Sequence, residues 1–125
     1  MADSALTPQL ALDHLGELSS DIRASVLIDA SGALAASAGV SEQGADRLRE
    51  LALELFGHAD QAAAADFGPL GQVEVTTPEG AVFGVRAPAA RGDWTLAIIT
   101  GRFALSSLMF YDARKVLGEL RAEAA

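Results

Sequence analysis

The sequence contains no cysteine. Disulfides, thiolate nucleophiles, iron–sulfur clusters and cysteine-based zinc sites are therefore excluded. It has a single lysine, Lys115, so no polybasic patch can be built. Nine basic residues stand against seventeen acidic ones, a net charge of −8. That balance argues against a nucleic-acid partner, which needs clustered basic groups to neutralise phosphates. It argues equally against an anionic membrane surface. No apolar run approaches the ~18 residues of a membrane helix. The first residues lack the basic and apolar regions of a secretory signal, so the chain reads as cytoplasmic. No Gly-x-Ser-x-Gly elbow, Walker A loop or dinucleotide fingerprint occurs, and no cofactor is expected. The two histidines, His14 and His58, each lie on a predicted helix; only Glu54 stands four residues from either, and one Glu with one His is an incomplete metal site. Glu54 and His58 are spaced to pair on a solvated helix face.

What is present is apolar and patterned. Of the 125 residues, 50% are hydrophobic, which suffices for one packed domain with a core over about residues 8–121. Thr7 and Pro8 open a helix over residues 8–19, with Ala11, Leu15, Leu18 and Ile22 at helical spacing. Residues 24–29 form a short apolar strand, and Asp29 and Gly32 bracket a turn into a small-residue strand over 33–38. Ser41 caps a helix over 42–63, which ends at a loop through 66–69. Val73 and Val75 alternate with polar residues in a strand over 70–77. A tight turn with Pro78 leads to a strand over 81–87. A looser turn over 88–93 precedes a third strand over 94–100, whose first residue, Trp94, is expected to be partly exposed. Leu105, Leu108, Met109, Val116, Leu117 and Leu120 mark a last helix over 103–121. The order is α-β-β-α-β-β-β-α, an α+β arrangement whose short connections imply antiparallel neighbours.

This order resembles the roadblock / dynein light chain family from about Leu10 to Leu120. The likeness rests on Val26-Leu27-Ile28-Asp29 with Ser31-Gly32, on the long middle helix, and on the strands around Val73-Glu74-Val75, Val82-Phe83-Gly84-Val85 and Leu96-Ala97-Ile98-Ile99. The resemblance implies a five-stranded antiparallel sheet with the middle helix on one face and the terminal helices on the other. It also implies a homodimer through the middle helices and third strands, and a small Ras-like GTPase as partner. The chain would then be a non-catalytic regulator or scaffold, with hydrolysis left to the partner.

The middle helix bears on this directly. Leu48, Leu51, Ala52 and Leu55 share the face that covers the sheet, at about 100° per residue. Leu53 lies away from that face, Phe56 at its border and Gly57 nearly opposite, so a monomer would leave Leu53 and part of Phe56 in water. Asp46, Arg49, Glu50, Leu53, Phe56 and Gly57 on the helix are the expected contact residues, with Val73, Glu74 and Val75 on the third strand. That strand has no lysine or internal proline to guard an edge. Glu42, Asp46, Glu50 and Glu54 form an acidic stripe, either a solvated face or a surface that steers a basic partner. Asp112 falls inside the apolar arc of the last helix and needs a partner, with Arg23, Arg102 or a backbone amide of a neighbouring strand as candidates. An arginine supplied to a GTPase could come from Arg86, Arg91 or Arg102. An alternative is a sensory module, PAS-like or profilin-like, holding an apolar ligand among Phe83, Trp94, Ile98 and Met109.

Overall fold

Three helices and five strands follow one another in the expected order in a computed structural model that describes residues 7–19, 21–63, 71–87 and 93–120. They are α1 (Pro8–Leu18), β1 (Ile22–Ile28), β2 (Leu34–Ala38), α2 (Glu42–Ala63), β3 (Gln72–Thr77), β4 (Gly80–Ala87), β5 (Trp94–Gly101) and α3 (Ser106–Gly118). The expected loop at 66–69, most of the turn at 88–93, and Arg91 and Arg121 lie outside the described residues.

Local chemistry sets the boundaries. The Thr7 hydroxyl accepts the Leu10 amide at 3.3 Å, and Pro8 stands in the first turn of α1. The Ser41 hydroxyl accepts the Gly44 amide at 3.1 Å and caps α2 in the same way. Between β1 and β2, one oxygen of Asp29 accepts the amides of Ser31 and Ala33 and the Ser31 hydroxyl. Gly32 completes the turn at φ 89°, a conformation that favours glycine. Two boundaries differ from expectation. Ile22 belongs to β1 and does not continue the stripe of α1. Helix α3 starts at Ser106, because Asp21 takes the amides of both Gly101 and Phe103 and holds that segment as a turn.

The strands form one antiparallel sheet in the order β2-β1-β5-β4-β3. Both faces are covered, so β1 and β5 are buried almost throughout. On one face, Leu27, Phe83, Val85, Leu96 and Ile98 pack with Leu15 of α1 and Met109 and Val116 of α3. On the other, Val26, Ile28 and Ala97 pack with Ala45, Leu48 and Ala52 of α2. This is the α+β arrangement expected, with α2 alone on its side. Trp94 is buried with the first cluster, contrary to expectation, since α1 and α3 extend over the end of β5 where it stands. Phe83, Ile98 and Met109 are also fully buried, and Phe83 meets Phe110 edge-on at 5.2 Å.

Candidate functional site

Helix α2 buries a line that runs Ala45, Leu48, Ala52 and Phe56. Phe56 is only 3% exposed, so the expectation that it lies partly in water is corrected. Its ring sits on Gly84 of β4. A Cβ built at Gly84 would come within 2.9 Å of the ring and 3.0 Å of Val73 Cγ2. Above the ring, 4.3 Å from its centre, lies the guanidinium of Arg86. Arg86 also holds the Asp60 carboxylate through both terminal nitrogens, at 2.8 and 2.7 Å. Those hydrogen bonds raise the Arg86 pKa further above its ordinary value, against the opposing effect of burial. Arg86 is thus engaged in fastening α2 to β4.

The two flanks of α2 face different surroundings. Arg49 donates to the Gly32 carbonyl at 3.1 Å and pairs with Asp46 at 3.5 Å. Leu53 reaches toward the same turn, 4.0 Å from where a Gly32 Cβ would stand. Asp60 meets Arg86 on this flank too. At about 100° per residue, Leu51, Leu55 and Ala59 lie on the opposite flank. Gly44, also on that side, approaches Val40 beyond the far end of β2. So the Leu53 flank looks toward the β1–β2 turn, and the Leu51 flank looks toward the other end of the sheet.

At that other end, α2 leaves the sheet uncovered. Ala24, Ile99, Val82 and Val75 are aligned across β1, β5, β4 and β3 on the face that α2 occupies. Ala24 is buried, Ile99 and Val82 are half-buried, and Val75 is 41% exposed. Leu51 beside them is 40% exposed and Leu55 half-buried. A shallow depression of about 250 Å³ lies at the margin, lined by Val82, Ile99, Thr77 and Arg23. The result is one apolar area that ends at the free edge of β3.

The two sheet edges differ. At β2, Leu27 pairs with Ala36 and Ile28 with Leu34, so Ala35 bulges out of register. The Gln9 amide also covers the Ser37 carbonyl at 3.3 Å. A cleft of about 630 Å³ runs beside this edge, between Gln9 and the acidic start of α2 at Glu42 and Asp46. Strand β3 has no bulge in its pairing with β4. Glu74, the one candidate guard, turns its carboxylate to the other face, where Ser106 of α3 donates to it at 2.7 Å. Among the described residues, edge β3 is therefore regular and carries no guard.

Of the nine expected contact residues, Val73 and Val75 share a face with α2, while Glu74 points away from it. Asp46, Glu50 and Gly57 are exposed on α2, and Arg49 is half-buried. Leu53, 37% exposed, and Val75 stand on different sides of the helix. The sequence places Leu51 and Leu55 on the face that covers the sheet, whereas Leu51 is 40% exposed and Leu55 half-buried. Val82 and Ile99 lie in the near-continuous apolar runs of strands buried on both sides, which hide a face covered only in part. Asp112 is buried on α3, yet no hydrogen bond or ion pair reaches it among the described residues. Arg102 lies over the Phe103 ring and Arg23 beside Gly101, so neither expected partner meets it. Glu54 and His58 are both exposed and do not pair among the described residues.

No family model and no curated protein matches this sequence. Solved structures do. A roadblock/LC7 domain from Streptomyces avermitilis superposes with a TM-score of 0.78 at 19% identity, covering 90% of this chain and 93% of that one. MglB in a tetrameric arrangement gives 0.76 at 14% identity, covering 93% and 85%. Myxococcus xanthus MglB gives 0.72 at 15% identity, covering 89% and 82%. The chain has the roadblock/LC7 fold. No helix among the described residues is long and apolar enough to cross a membrane.

Proposed function

We propose that this chain is a roadblock-family regulator or scaffold, non-catalytic and cytoplasmic, that acts as a homodimer and engages a small Ras-like GTPase. The observation that carries the dimer is the set of part-exposed apolar residues Leu51, Leu55, Val75, Val82 and Ile99, the last three aligned across the sheet to β3, whose edge carries no guard among the described residues. A second copy related by a twofold axis would continue the sheet through β3 and set the Leu51 flanks of the two α2 helices against each other. One contact would then cover both the edge and the apolar area. Full burial of an exposed leucine or valine is worth ~1.5–3 kcal/mol, and Leu51 and Val75, 40% and 41% exposed, would each gain a corresponding fraction of that.

The GTPase reading rests on the fold and on the far side of α2. Asp46, Glu50 and Glu54, with Glu42 at the helix start, stay exposed when the Leu51 flank is covered. Such a stripe speeds encounter with a basic partner surface and makes that encounter sensitive to salt. Hydrolysis would remain with the partner, whose switch segments the dimer would hold.

The test takes small Ras-like GTPases from the same source, each loaded with GDP or a non-hydrolysable GTP analogue. Binding that prefers one nucleotide state, and that weakens when Glu50 and Glu54 are changed to Lys, is the expected result. A protein that is dimeric but binds none of them in either state would overturn the GTPase assignment.

A further inference from the structure

On the face of the sheet away from α2, the entry to α3 is unusually apolar for an exposed segment. Phe103, Leu105 and Tyr111 are the three most exposed large hydrophobic side chains among the described residues, and with Leu108 they are 52–78% exposed. Leu105, Leu108 and Tyr111 recur every third residue, so they run along one side of the helix. The other flank of α3 is committed to β3, through Ser106 to Glu74 and Arg114 to Gln72. The stripe therefore looks away from the β3 edge, and a dimer formed there would leave it open.

A basic side chain stands near each end of this stripe. The Arg102 guanidinium lies 5.2 Å from the centre of the Phe103 ring and makes no ion pair among the described residues. Lys115 follows Tyr111 by one turn and is shared with Glu119 at 3.6 Å. The first turn of α3 holds no acidic residue, and Leu105 at its N-cap offers no side-chain acceptor, unlike Thr7 and Ser41. The carboxylates that meet this region are engaged or buried, Glu74 accepting from Ser106. Asp21 binds the Phe103 amide, Glu119 faces His14 and Lys115, and Asp112 is buried. An apolar stripe is thus bounded by Arg102 at one end and Lys115 at the other.

This charge pattern selects the occupant. A second copy docked stripe to stripe about a twofold axis would bring these cations toward each other. An anionic membrane would have to hold a chain of net charge −8 by two side chains. We propose that the α3 stripe docks a segment of another protein that carries apolar anchors flanked by Asp or Glu. Its apolar side chains cover Phe103, Leu105, Leu108 and Tyr111, and its carboxylates meet Arg102 and Lys115. The site lies apart from the dimer seam, so the assembly has one surface for its own copy and another for this partner.

The test follows amide shifts of the isotope-labelled full chain on titration with a short synthetic peptide in which leucine and phenylalanine alternate with glutamate. A lysine-for-glutamate peptide and anionic phosphatidylglycerol vesicles are run beside it. Shifts centred on residues 102–115, weakened about tenfold in Leu108→Lys and in Arg102→Glu, are expected. Tyr111→Ser serves as a second surface variant, and circular dichroism checks that each variant is folded. Absence of shifts at ~1 mM peptide, a weaker level than ordinary recognition reaches, would overturn the proposal. So would equal binding of the lysine peptide or preferential binding of the vesicles. A drop in solution mass caused by Leu108→Lys would assign the stripe to a second copy instead.

Discussion

The Arg86 guanidinium lies 4.3 Å above the Phe56 ring while both its terminal nitrogens grip Asp60, one turn further along the same helix. Stacking and ion pairing act together to press the C-terminal half of α2 onto β4. The contact fastens α2 to β4 on the flank opposite Leu51 and Leu55.

Removing that contact has a cost that reflects its geometry. Arg86→Ala is expected to lower unfolding stability by ~2 kcal/mol, as charged hydrogen bonds of a half-buried pair are lost with the stacking. Arg86→Lys restores the charge but neither the fork nor the planar stack, so it recovers only part of that loss. Urea unfolding of the two variants measures both. Equal stability of the wild type and Arg86→Ala would contradict the role given to this pair.

Gly84 is the floor under the ring. Gly84→Ala places a methyl 2.9 Å from Phe56 and 3.0 Å from Val73. The expected destabilisation is ~1–3 kcal/mol from overpacking. Phe56→Leu alone is also destabilising, yet the double variant should lose less than the sum, because the smaller side chain makes room. Strict additivity in a double-mutant cycle would show that the two positions do not share the space described.

The β1–β2 turn carries a pH dependence. The Ser31 hydroxyl, helped by the amides of Ala33, Ser31 and Gly32, holds the Asp29 carboxyl below its ordinary range against the opposing effect of burial. A carboxyl depressed on folding adds stability above its unfolded pKa of ~3.9, and that stability is lost as pH falls through the folded value. Asp29→Asn should therefore be less stable than the wild type at neutral pH. The gap should narrow as the pH is taken below about 4, where the wild-type carboxylate is protonated. Parallel denaturation curves from pH 7 down to pH 3 supply the check, and a gap that stays constant would remove Asp29 from the account.

Much of this architecture is written locally in the chain. Ser41, the apolar spacing and the loss of that spacing place α2 at residues 42–63, matching the structure. Asp29 and Gly32 announce the first turn, and Thr77-Pro78 the second. The flank of α2 that faces the open corner was not legible. Leu51 and Leu55 pull the apolar centre of the helix to one side, while the line that is buried includes two alanines, Ala45 and Ala52. Phe56 enters the core because a glycine on a distant strand leaves room for its ring. Long-range fit of that kind leaves no mark on helical periodicity. Trp94 was misplaced for a related reason: its burial depends on α1 and α3, neither adjacent to it in sequence.

The most direct measurement is the solution mass of the wild type, Leu51→Glu and Leu53→Glu, by light scattering after size exclusion. The two leucines are nearly equally exposed, at 40% and 37%, on one helix, and differ in the flank they occupy. The wild type and Leu53→Glu should both run at twice the chain mass, and Leu51→Glu as a folded monomer. A monomeric wild type, or a dimer broken by Leu53→Glu and untouched by Leu51→Glu, would contradict the seam assigned to the Leu51 flank and β3.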